Sequence, residues 1–133
     1  PQKTTIQSVV EKALTQVLGE DLKIIPSGRT DAGVHALRQV FHATIKSAKA
    51  LSRIAKKDFI AKINGVLPDT ITIPHCEHAE GFHARKQAQS KTYTYLIMIS
   101  RFQNPFLENR LWRMGIPLNL TAMKRAAKLL VGA

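Results

Sequence analysis

The sequence predicts an α+β fold, a mainly antiparallel sheet with helices packed on one face. Three observations predict it. Some segments repeat apolar residues every three or four positions, as a helix with one buried face does. Others alternate apolar and polar residues, as a half-buried strand does. The two kinds are interspersed in the order helix, strand, loop, strand, helix, strand, strand, helix, with hairpin-like neighbours rather than strict strand–helix alternation. An apolar fraction of 44% over 133 residues supplies one real core for a domain of ordinary size.

The first element is TIQSVVEKALTQVL, in which Ile6, Val9, Val10, Ala13, Leu14, Val17 and Leu18 share one helical face. Thr4 or Thr5 is placed to cap its start, and Gly19 to end it. LKIIP (22–26) is a short β-branched run stopped by Pro26, read as a strand. RQVFHATIK (38–46) alternates, with Phe41, Ala43 and Ile45 on one face, and reads as a second strand. Residues 52–66 read as one helix, Ile54, Phe59, Ile60 and Ile63 inward and Lys56, Lys57 and Lys62 outward. ITIPHCEHA (71–79) reads as an irregular strand, which Pro74 confines to an edge or a bulge. SKTYTYLIMIS (90–100) is the clearest strand, with Tyr93, Tyr95, Ile97 and Ile99 on one face. NPFLENRLWRMGIP follows as a loop-rich stretch. LNLTAMKRAAKLLVGA makes the last helix, with Asn119 or Thr121 near its start and Gly132 as its stop.

The charge is lopsided: 20 Lys and Arg against 9 Asp and Glu, a formal +11. No run of five like charges occurs, so the excess belongs to folded surface and suits a polyanion, with nucleic acid the leading partner. No helix pairs a basic face with a large aromatic one, and no apolar run reaches membrane-spanning length. A single cysteine, Cys76, cannot form an intrachain disulfide, which fits a reducing compartment. The HCEH run (75–78) has metal-ligating residue types, but neighbours in a strand point to opposite faces and no second cysteine accompanies it; no metal is expected. His35 and His42 read as satisfied polar residues, with an RNA contact the lesser alternative for His42.

The stretch SGRTDAGVHA (27–36) stands apart. Gly28 and Gly33 allow a sharp turn between strands, and Asp31 is the lone carboxylate between Asp21 and Asp58. Arg29, two residues before it, favours its ionised form, and an ionised, positioned carboxylate acts as nucleophile or base. The plain alternative is a turn aspartate capping backbone N–H groups. A carboxylate in the most constrained loop of a basic chain has no use in a non-catalytic RNA-binding module, which is the rival reading.

GRTDAGVHA closely resembles the signature of the tRNA pseudouridine synthase A family. The helix SVVEKALTQVL before it follows that family's order and spacing. So do RQVFHATI, NGVLPDTI, FHARKQAQSKTYTYLI and LNLTAMKRAAKLLVG after it. The resemblance implies a tRNA-modifying isomerase of pseudouridine synthase fold, built from ferredoxin-like halves. It would form pseudouridine in the anticodon stem-loop without cofactor or metal, as a cytoplasmic homodimer. It implies that Asp31 is catalytic. Arg29 would contact RNA and help hold the target nucleotide outside the stem, and Tyr93 would pack on the target base. Arg85, Lys86, Lys91 and Arg38 are further expected RNA contacts; Arg38 stands where the family often has glycine.

The resemblance also implies a fragment. Residues 1–117 would form most of the N-terminal domain, and 118–133 the first helix of a second domain. The family has a strand before the first helix and a second half that closes the cleft. Turnover by these residues alone is therefore expected to be weak or absent.

Overall fold

The computed structural model describes residues 4–132. The first helix, α1, spans Ile6–Leu18. Thr5 caps it: its side chain accepts from the Ser8 N–H, and the Ser8 hydroxyl accepts from the Thr5 N–H, a reciprocal capping box. Gly19 closes it in the left-handed region (φ 70°), donating its N–H to the Thr15 carbonyl. A side chain here would be strained by that φ, and its Cβ would also lie 2.7 Å from the Arg53 guanidinium. That guanidinium donates to the Val17 and Leu18 carbonyls, so the end of α1 is held by a cation where the helix dipole favours one.

The apolar face of α1 is buried as its spacing requires: Val10, Ala13, Leu14 and Leu18 join Leu22, Ile24, Ala50, Phe59, Ile63, Leu67 and Ile73 in one core. The 52–66 helix is instead two helices, α2 (Ala48–Ile54) and α3 (Phe59–Asn64). The reason is phase. Ala50 and Ile54 face the core four residues apart, as do Phe59 and Ile63. The second pair follows the first by nine positions, which in one straight helix turns it about 180° away, to the opposite face. Breaking the helix at 55–58 restores both stripes to the core and leaves Lys56, Lys57 and Asp58 in solvent.

The sheet expectation needs correction. β1 (Ile24–Pro26) pairs antiparallel with β2 (Phe41–Ala43), with Ile24 opposite Ala43 and Ile25 opposite His42. β3 (Ile97–Ile99) pairs in parallel with β4 (Trp112–Met114). Two two-stranded sheets therefore replace one large antiparallel sheet, although the class remains α+β. The stretch read as loop contributes β4, after a single 3-10 turn at Pro105–Leu107.

Segment 71–79 forms no strand. Pro74 lacks the N–H a ladder needs, and the Asn64 carboxamide takes the place of a neighbouring strand. Its Oδ1 accepts from the Ile73 N–H and its Nδ2 donates to the Ile73 carbonyl, both at 2.8 Å. The 90–100 strand shrinks to Ile97–Ile99, and Tyr93 and Tyr95, 67% and 85% exposed, lie outside it. The last helix, α4 (Leu120–Lys128), is capped by Asn119 and ends at Leu129, ahead of Gly132.

By compactness the chain divides into two units: Pro1–Thr30 with Ala36–Gln89, and Asp31–His35 with Ser90–Ala133. The first holds α1, β1, β2, α2, α3 and the core; the second holds β3, β4 and α4. No helix among the described residues is long and apolar enough to cross a membrane.

Among the described residues, one polar residue is buried with that core. Glu11 is only 9% exposed and binds α1 to β1. Its Oε1 accepts from the Gln7 side chain (2.9 Å) and the Ile24 N–H (3.1 Å), and its Oε2 accepts from Lys23 Nζ (3.1 Å). Burial raises its pKa, but the bonds from Gln7, Ile24 and Lys23 outweigh burial and hold it below the ordinary carboxyl value of 4.5. A depressed folded pKa makes the stabilisation complete above that ordinary value and lost as pH falls through the lower folded one. Glu11→Gln should therefore lower the Tm at neutral pH, with the gap to the parent narrowing on acidification below 4.5. A gap constant across that range would show that the charge contributes nothing.

Candidate functional site

The loop 27–36 leaves β1 and returns towards β2. Its first part is held by Gln39: the Ser27 hydroxyl donates to Gln39 Oε1 (3.0 Å), and Gln39 Nε2 donates to the Gly28 carbonyl. The Ser27 N–H also donates to the Val40 carbonyl at 2.8 Å, extending the β1–β2 pairing by one bond. Arg29 and Arg38 leave the two strands just beyond this last bond, so both are carried at one end of the pair, and both are exposed. Sequence reasoning missed Gln39. Its signal was only its place immediately before the β2 apolar run.

Asp31 opens a tight turn in which the Val34 N–H donates to the Asp31 carbonyl at 3.3 Å. Gly33 has φ 84°, the value that the third residue of a type II turn requires. Glycine is needed here for that angle rather than for space, since nothing lies within 4 Å of where its Cβ would be. Asp31 is exposed, and within its own unit, among the described residues, no hydrogen bond takes up its carboxylate. It is thus not used as a backbone cap, the structural role a turn aspartate most often plays. Tyr93 and Lys91 belong to the same unit and are exposed as well.

Arg85 and Lys86 lie in the first unit, both exposed, on a turn closed by its own hydrogen bonds. The His83 N–H donates to Gln87 Oε1 (2.8 Å), the Gln87 N–H to the His83 carbonyl (3.0 Å), and the Lys86 N–H to His83 Nδ1 (3.3 Å). Gly81 enters the turn at φ 64°. The Ala84 N–H donates to Nδ1 of His42, on β2, at 3.1 Å. The His42 ring also lies 4.7 Å from the His83 ring and 6.2 Å, edge on, from Phe82.

Of the residues singled out in the sequence, the first unit therefore gathers Arg29 and Arg38 at one strand end, and Arg85 and Lys86 on one turn. Two shallow hollows of this unit, one lined by Val17, Arg53, Lys56, Phe59 and Lys62, take in no residue of 27–36. His75 Nε2, in the HCEH run, approaches Glu77 Oε2 at 3.4 Å, an exposed contact.

No family model matches the chain. Individual proteins do. It is 40% identical over 129 residues to tRNA pseudouridine synthase A of Thermoanaerobacter sp. (strain X514), covering 96% of this chain and 51% of that protein. It is 41% identical over 133 residues to tRNA pseudouridine synthase A of Akkermansia muciniphila, covering 99% and 49%. To the protein of that name from Caldicellulosiruptor saccharolyticus it is 37% identical, covering 99% and 52%. The chain spans about half the length of the curated relatives it matches. The motif GRTDAGVHA and this near-complete coverage agree: the chain is a relative of tRNA pseudouridine synthase A, and what it matches is about half of such a protein.

Proposed function

We propose that this chain carries the catalytic-loop half of a tRNA pseudouridine synthase, an isomerase that turns uridine into pseudouridine in the anticodon stem-loop of tRNA. The observation that carries the reading is the 40% identity across 96% of the chain to a protein of that name. The surplus of basic side chains suits the substrate, because each Lys or Arg that neutralises a phosphate releases condensed cations.

In this reading residues 1–117 form most of an N-terminal pseudouridine synthase domain, a ferredoxin-like half, and 118–133 open the second domain. The native protein is a cytoplasmic homodimer. The target nucleotide leaves the stem, because chemistry on a base needs it out of the stack. Arg29 helps hold it there, and the Tyr93 ring offers a face for the pyrimidine. Arg29, Arg38, Arg85, Lys86 and Lys91 bind the RNA. Asp31, as nucleophile or base, drives cleavage of the bond between ribose C1′ and uracil N1. The base turns over while held, and C1′ bonds to C5. The C5 proton leaves, and N1 gains one. Nothing is added or oxidised overall, so the reaction needs no cofactor.

The test is a tRNA transcript tritiated at uridine C5, incubated with the full-length protein. Tritium release is expected. It should vanish when the anticodon stem-loop uridines are replaced by cytidine. Binding without release would instead identify a non-catalytic RNA-binding module, and free uracil with abasic RNA would identify a hydrolase. Residues 1–133 alone are expected to show weak or no release; robust release by them would remove the requirement for a second half.

A further inference from the structure

We infer that His42 is a positioning residue for RNA binding: its Nδ1 holds the Ala84 N–H and so sets the turn that presents Arg85 and Lys86. The inference rests on the proposal that these two side chains contact RNA. Ala84 is 2% exposed, so its N–H has no water to turn to if the imidazole is lost. The other hydrogen bonds of the 81–87 turn close on the turn itself; among the described residues, the bond to His42 is the one that ties it to β2. The two partners are 42 positions apart in the chain, so nothing local would restore the geometry.

The chemistry is specific to one ring atom. Nδ1 accepts a backbone N–H, so the ring proton sits on Nε2. An asparagine places its Oδ1 near the position of Nδ1 and can accept the same bond. A phenylalanine keeps the ring contacts with His83 and Phe82 but has no acceptor. Without the acceptor, Arg85 and Lys86 must be ordered on binding at a cost the tethered turn has already met.

The test compares His42→Phe, His42→Asn and Arg85→Ala in the full-length protein, with a tRNA transcript as probe. Two readouts are taken: amide hydrogen exchange at Ala84, and tRNA affinity as a function of salt. His42→Phe should speed Ala84 exchange and weaken binding about 3- to 10-fold, in line with the cost of ordering one or two long side chains. It should also flatten the salt dependence towards that of Arg85→Ala. His42→Asn should restore both. If Arg85→Ala weakens binding while His42→Phe speeds exchange without touching affinity, His42 is merely structural and the inference is wrong. If neither His42 variant alters Ala84 exchange, the tether itself is refuted. If Arg85→Ala changes neither affinity nor salt dependence, the RNA reading of the turn fails first and takes the inference with it.

Discussion

Asp31→Asn is expected to cut pseudouridine formation by a factor of about 100 or more while leaving tRNA binding intact. The magnitude follows from losing a positioned nucleophile or base, which commonly costs at least that much. Binding should hold or tighten slightly, because the change removes a negative charge from a loop proposed to meet phosphates. Stability should barely move. Asp31 is exposed, and within its unit no described residue hydrogen-bonds its carboxylate, so the substitution belongs with surface changes worth within about 0.5 kcal/mol. The turn that carries it depends on the Asp31 carbonyl and on Gly33, both untouched. The checks are tritium release, tRNA affinity and Tm on the same full-length protein. Unchanged release would dismiss Asp31 as the reacting group; a large fall in Tm would mean that its role is structural.

Ile63→Ala is expected to destabilise the protein by about 2–5 kcal/mol, the range for removing a large aliphatic side chain from a packed interior. Ile63 is 0% exposed and belongs to the core shared by α1, α2, α3 and β1. The upper part of the range is favoured by its surroundings. Phe59 sits one turn before it, and Asn64 beside it holds the Ile73 backbone from both sides, so little can move in to fill the cavity. The measurement is denaturant unfolding. A loss below about 1 kcal/mol would show that the core collapses around the gap or is less tightly packed than its burial implies. Pseudouridine formation per folded molecule of the full-length protein should be unaffected, which separates this change from Asp31→Asn.

Several features were readable along the chain because they depend on near neighbours. The period of Val10, Ala13, Leu14 and Leu18 is a property of one helix, and both its caps, Thr5 and Gly19, act within a turn. The Gly33 turn is likewise local, and so the GRTDAGVHA loop could be recognised from its letters. Features that depend on distant neighbours were not readable. The expected 52–66 helix splits because two apolar pairs must meet one core, a demand invisible until α1 and β1 supply that core. Segment 71–79 looks like a strand until the Asn64 carboxamide satisfies Ile73.

Glu11 lies outside the apolar stripe, yet it is buried because β1 brings the Ile24 N–H to it. His42 looked like one more polar strand residue until the Ala84 amide arrived from far along the chain. The strand expected over 90–100 is only Ile97–Ile99, because a period of two says which residues share a face but not whether a partner strand pairs with them. The helical period of α1, its caps, the tight turn and the basic charge are legible before any folding, since each is settled by residues within about four positions or by simple counting. Which polar groups are buried, where a helix must break and which strand pairs with which were set by the packing of distant segments. Those outcomes are free-energy differences between long-range partners, and a one-dimensional pattern carries no record of who the partner is.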